Sequence, residues 1–429
     1  MGCNTSSVTS EYLGRCCCRP PLSGAGGHLS TVLCSCRVFS TGAAVLGEVL
    51  SPCCNHPHMS DNQLTVVRSS SGCRIPRDMQ DTCVYLHIMK GCYVRVDDAQ
   101  FLSSRWAVWE AVSRARLLAV QHAGSEDRVF IGASALVARG IPLWEANPDV
   151  CVWTPSRRGH KLLRAVQAEA VRVPAVSVRW SVVPPNAPEL EQVEGITVEG
   201  IVDAGVRMAL FSEHLSAFVA LCMLLNRQSQ FSVFTQDVDR QRSDGLRANM
   251  LARLEERATG KETIPFRRAK RLIVAADPGC ENPAEAALLW VVKSVSAFEV
   301  VTQFEIVVNG RRYFADIAIP GLMIIFEFDG IGKLGKNEAD FARAKRDWIQ
   351  RENDLRGAGW TIYRFSWPDY EDLTQLRSLV SELLGPFQSV IPSSAQGLWA
   401  KPTPACDGPE RRFHMAANRW GTAREDYTR

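Results

Sequence analysis

The chain has 429 residues, 46% hydrophobic and 22% charged, with 49 basic against 46 acidic side chains and a net charge of +3. That length predicts two or three folded units, and that composition a globular protein; the near-balanced charge leaves any nucleic-acid function to a local site. No run of about 18 apolar residues occurs, so no membrane-spanning helix is predicted, and no signal-peptide pattern is present, so a cytoplasmic protein is expected.

Residues 1–58 contain no lysine and two acids, Glu11 and Glu48, and are rich in Ser, Thr, Gly, Pro and Cys. Neither helical nor strand periodicity persists there. A disordered extension is expected, or translation upstream of a start at Met59 or Met79. Two alternatives stay open. Cys34, Cys36, Cys53, Cys54, His56 and His58 cluster as zinc ligands do, without the usual paired spacing. Met1-Gly2-Cys3-Asn4-Thr5-Ser6 fits a myristoylation pattern, with Cys3 as a second acylation position. Eleven of the fifteen cysteines fall in the first 92 residues; Cys151, Cys222, Cys280 and Cys406 are scattered, as free thiols are.

Residues 59–275 read as a mostly helical mixed α+β region. Cys92 to Val96 alternates after Gly91 and predicts a strand. Ser104 caps a predicted helix to about Gln121, and a short helix from Ala133 ends at Gly140. A strand is expected at Val150 to Trp153. Helical blocks follow at Val198 to Leu225 and Leu246 to Arg257. A further helix begins in the basic run Phe266 to Leu272, read first as a solvated face and second as a nucleic-acid contact.

The pattern sharpens from residue 276 to 386. Asn282 and Pro283 open a helix to about Ser294. Thr302 to Val308 is a strand, Asn309-Gly310 a hairpin turn, and Arg311 to Ile319 the returning strand. Pro320-Gly321 turns into a third, apolar strand, Leu322 to Phe328. A charged helix from Glu338 to Leu355, a strand from Trp360 to Phe365 and a final helix near Tyr370 complete it. The fold class is therefore α/β, with a C-terminal α-β-β-β-α-β core, an order that resembles that of restriction-endonuclease-like folds. Residues 387–429, rich in Pro, Ser and Arg, are expected to be an unstructured tail.

Glu327 is the one charged residue in that third strand. A buried carboxylate needs a cation, a proton or a donor. Asp316 lies across the turn on the neighbouring strand, and two close carboxylates repel unless a divalent ion lies between them. Their hard oxygens favour Mg²⁺ or Mn²⁺, which would activate water against a phosphodiester. Glu285 is a third candidate, as a ligand or as the holder of a metal-bound water. Lys345 and Arg351 on the following helix are placed to contact phosphate.

Glu327-Phe328-Asp329-Gly330 with Lys333 resembles the signature of proteins similar to very-short-patch-repair endonucleases, within the PD-(D/E)XK superfamily. Arg351 to Leu355, Gly359-Trp360 and Arg364-Phe365-Ser366-Trp367 match that family's ending. The resemblance implies catalysis by Asp316, Glu327 and a lysine. Asp329 stands where the family's usual lysine would be, and Lys333 is the substitute candidate. Upstream, Gly91 to Val94 and Gly132 to Leu136 with Gly140 to Trp144 resemble actinobacterial AbiEi-like proteins, which implies a winged helix before Gly91. Residues 60–90 depart from it, with Ser69-Ser70-Ser71 and Pro76 where recognition helices would lie. The leading expectation is a metal-dependent endonuclease acting on DNA, in phage defence or repair. The alternative is a non-catalytic AbiEi-type antitoxin, with a toxin partner, or a transcription regulator that uses the nuclease fold as a scaffold.

Overall fold

The computed structural model describes residues 37–38, 64–68, 84–96, 104–123, 128–155, 161–168, 171–181, 184–186, 189–257, 263–329 and 338–402. Strands β1 (Arg37–Val38), β2 (Leu64–Arg68), β3 (Val84–Met89) and β4 (Cys92–Val96) form an antiparallel sheet in the order β1-β2-β4-β3. The β3–β4 turn requires Gly91, which takes φ 69°. β1 pairs with β2 from inside the segment expected to be unstructured. The zinc and myristoylation alternatives lie outside the described residues, as do Ser69-Ser70-Ser71 and Pro76.

Helix α1 (Arg105–His122) starts at Ser104, whose hydroxyl accepts the Ala107 N–H at 3.3 Å. After it come β5 (Val129–Phe130), α2 (Ala133–Ala138), β6 (Val150–Trp153), β7 (Lys161–Leu163), β8 (Val166–Ala168), β9 (Val171–Val173), β10 (Val176–Ser181), β11 (Glu191–Val193) and β12 (Ile196–Val198). Six of these strands join in the order β11-β12-β5-β6-β10-β7, and β8 pairs with β9. The middle is thus strand-rich up to Val198 and helical from Ile201 to Ala275. Strands of two to six residues give alternation too little length to register, and tertiary pairing decides them instead.

A helical layer follows: α3 (Ile201–Phe211), α4 (His214–Ser229), α5 (Gln236–Arg257), α6 (Ile264–Ala275) and α7 (Pro283–Lys293). α5 begins at Gln236, not near Leu246, because its first turns are held by polar contacts rather than an apolar stripe. Arg240 there reaches Asp277 at 3.0 Å and the Thr302 carbonyl at 2.9 Å. In the basic run of α6, Arg268 donates to the Ala209 carbonyl at 3.0 Å, so at least one of its cations ties helices together.

The last unit contains β13 (Val301–Val308), β14 (Arg311–Ile319), β15 (Ile324–Phe328), α8 (Glu338–Gly357), β16 (Thr361–Phe365) and α9 (Leu373–Leu384). Its sheet runs β13-β14-β15-β16, with the first three antiparallel and β16 parallel to β15. Asn309 and Gly310 both take positive φ, 52° and 73°, as the tight hairpin needs. One sheet face, carrying Ile317, Ile319, Ile324, Phe326 and Phe328, joins the main core, into which α7 and α9 also pack. The other carries Ala318, Ile325 and Ile362 against Leu355 of α8 and Trp360 in a smaller core. The main core is continuous from Val66 to Leu398, and α7 packs on α4 as well as on α9 and β15. Residue 276 therefore marks a change of topology, not a break in packing.

No helix among the described residues is long and apolar enough to cross a membrane. The expected tail is ordered up to residue 402 and includes α10 (Ser393–Gln396). Trp399 stacks on buried Trp290 with ring centroids 4.3 Å apart, and Trp290 Nε1–H donates to the Leu398 carbonyl at 2.9 Å. Composition averages over a window and hides two such anchors in a polar run. Replacing Trp399 with Ala should lower unfolding stability by about 2 kcal/mol, since the lost stacking exposes Trp290. Urea denaturation measures it, and an unchanged midpoint would show that this segment does not hold the core.

Candidate functional site

Every residue of β15 is buried, and Glu327 is 5% exposed. Side-chain alternation puts Glu327 on the Ile325 face, toward α8. The structure gives this carboxylate two cations. In the parallel β15–β16 register Glu327 stands beside Arg364, whose Nε donates to Oε2 at 3.2 Å. Arg351 of α8 brings Nη2 to 2.5 Å from Oε1, and also donates to the Phe314 carbonyl at 2.7 Å. The contact at Oε1 lies off the hydrogen-bond direction, so that oxygen is charge-compensated without a directed bond.

The network extends further. Arg364 Nη2 lies 2.5 Å from Glu352 Oε2, and Arg356 Nε lies 2.5 Å from Glu352 Oε1. Burial works to raise the Glu352 carboxyl, but the Arg364 guanidinium beside it and the hydrogen bond from Arg356 outweigh it and hold it below its ordinary value. Burial likewise opposes the Arg364 charge, while Glu352 and Glu327 raise its pKa overall.

Asp316 sits at an irregularity of β14. The β14–β15 ladder ends at Ile317↔Phe326, next to Asp316 and Glu327. There the Asp316 Oδ2 accepts the Phe328 N–H at 3.1 Å, in place of a ladder bond. On the β13 side, Gln303 takes φ 48° and interrupts the pairing between Thr302↔Ile317 and Phe304↔Ala315. The half-buried Asp316 and the buried Glu285 both act on Tyr370. Burial first, then the charges of Glu285 and Asp316, push the Tyr370 phenol well above its usual value. Tyr370 itself donates to the Ala284 carbonyl at 3.0 Å.

Glu285 is engaged at the start of α7. Its Oε2 accepts the Glu281 N–H at 2.8 Å, and its Oε1 accepts from Asn282 Nδ2 at 2.6 Å. Asn282 in turn accepts from the Ala284 and Glu285 N–H groups at 3.0 Å, as a helix cap does. Lys333 lies outside the described residues. Asp329 is exposed, and its N–H donates to the Phe365 carbonyl at 2.8 Å. Lys345 is exposed on α8, whereas Arg351 is committed to Glu327.

The carboxylate oxygens have the right hardness for Mg²⁺ or Mn²⁺. In the arrangement described, Glu327 is held by cationic side chains. Among the described residues no three His, Cys, Asp or Glu side chains converge closely enough to hold a metal ion. Glu327 already has two guanidiniums, and Glu285 is bound into a helix cap. A divalent ion at Glu327 would have to displace Arg351 or Arg364.

Arg364 was within reach of sequence reasoning. It is a charged residue in the otherwise uncharged strand Thr361–Phe365, the same signal that singles out Glu327 in β15. The parallel register that joins the two is a tertiary fact and was not available.

Comparison with known proteins gives no match to a family model, a curated protein or a solved structure.

Replacing Arg364 with Ala leaves Glu327 and Glu352 short of a cation in a largely buried site, and should cost about 3 kcal/mol in urea unfolding at pH 7. A folded-state pKa held below the ordinary 4.5 means that Glu352 stabilises the fold above that pH and loses this contribution as acid protonates it. The variant should therefore show a shallower loss of stability below pH 4.5 than the parent chain. A parallel pH profile for both would contradict the pairing.

Proposed function

We propose that residues 276–386 form a nucleic-acid-binding unit of restriction-endonuclease type that does not hydrolyse its ligand. On this reading the chain acts as a DNA-associated regulator, with the nuclease fold as its scaffold. The observation that carries it is the double arginine contact on Glu327. A carboxylate that receives Nη2 of Arg351 at 2.5 Å and Nε of Arg364 at 3.2 Å is a structural anion. Asp329 adds to this, because it stands where the resembling family has its lysine. The resemblance of the upstream segments to AbiEi-like proteins supports an antitoxin or transcription-regulator role, with a toxin as a candidate partner.

A second reading is metal-dependent endonucleolytic cleavage of DNA phosphodiesters. It is favoured by one observation: Asp316 and Glu327 lie on adjacent strands, just beyond the last paired positions of β14 and β15. An acidic residue on each of two adjacent strands is what such an enzyme needs, provided the arginines move.

Supercoiled plasmid separates the two. The full chain is incubated with plasmid and Mg²⁺ or Mn²⁺, beside Glu327→Ala, and a parallel gel-shift measures binding in EDTA. The binding reading expects a salt-sensitive shift and no nicking above that of the variant. Nicking by the parent chain that Glu327→Ala abolishes would install the hydrolytic reading, and no shift at low salt would remove the proposal.

A further inference from the structure

α8 carries a stripe of side chains two turns long that changes character along its length. Leu355 is fully buried in the small core under the sheet, and Arg351 and Glu352 hold ion pairs at the sheet edge. Trp348, seven residues before Leu355 and thus on the same stripe, is 46% exposed. Lys345, one turn earlier, is exposed as well. The sheet-facing side of α8 therefore runs from an apolar core into solvent, with an indole at the edge.

The indole is oriented. The Arg364 guanidinium lies 4.7 Å from its ring centroid. Its own network with Glu327 and Glu352 fixes the guanidinium, so one side of the ring rests on a rigid cation. Beside it on α8, Lys345 and Arg346 are exposed cations and Asp347 an exposed acid, while Arg351 and Arg364 are paired with Glu327 and Glu352. The exposed charge beside the ring is one positive in excess, which favours a polyanion. An open aromatic ring set among cations gives a base a face to stack on and gives the adjoining phosphates partners. In a paired duplex the base faces are already stacked on each other.

We propose that Trp348 is a stacking platform for an unpaired base, so that the unit takes a single nucleic-acid strand in preference to a duplex. This rests on the reading of residues 276–386 as a nucleic-acid-binding unit. A purely structural alternative has Trp348 only shielding the Arg364 ion pairs, and it predicts a stability change without a binding change.

The test uses the full chain in EDTA, so that no cleavage intervenes, with a fluorescent oligothymidine and a duplex of equal length as probes. The single strand should bind about tenfold tighter than the duplex. Trp348→Leu, which keeps an apolar cover but cannot stack, should lose about that factor for the single strand alone, while Trp348→Phe keeps most of it. Intrinsic fluorescence gives a second readout if the Leu variant folds poorly: oligothymidine should quench the parent chain, and Trp348→Phe should lose that quenching. Equal affinity for both probes, or quenching unchanged in Trp348→Phe, overturns the platform while leaving the nucleic-acid reading intact. Binding of neither probe overturns both.

Discussion

Glu327 lies in a strand whose every residue is buried, and the pairing of that one charge organises the C-terminal unit. Left alone, the carboxylate would cost several kcal/mol of desolvation. Its two guanidiniums come from different elements, Arg351 from α8 and Arg364 from β16. Meeting the charge therefore locks the helix and the parallel strand onto the central strand together. Glu352 and Arg356 carry the alternation of charge outward to the surface. The chain gains a rigid edge at the cost of committing Arg351, which the sequence presented as a free phosphate contact.

The two carboxylates first read as one site have different partners in the structure. Glu327 belongs to the α8 side with its arginines. Asp316, at the irregularity opposite Gln303, takes up the Phe328 N–H and acts with Glu285 on buried Tyr370. Facing positions in a ladder bring backbones together, but side chains share a site only where the pleat stays regular. Here it does not, and the two acids have different partners.

Much of the C-terminal fold was legible because its signals are local. The Asn282 cap, the Asn309-Gly310 hairpin and the apolar run of β15 each fix an element within a few residues. Apart from β6, which was expected at Val150–Trp153, the strands between Val129 and Val198 were not legible, since pieces as short as Val171–Val173 owe their state to tertiary pairing. The packing of Trp399 on Trp290 was hidden for the same reason, across more than a hundred residues of chain. Glu327 stood out as an anomaly in its strand. That its partner is Arg364 followed only from the β15–β16 register.

Whether Glu327 is an anchor for arginines or a ligand for a metal decides between the two functional readings. Calorimetric titration of the full chain with Mn²⁺, beside Glu327→Gln, tests this directly. An anchor predicts heats that the substitution leaves unchanged, because the arginines already satisfy the charge. A saturable site in the parent chain that Glu327→Gln abolishes would contradict it.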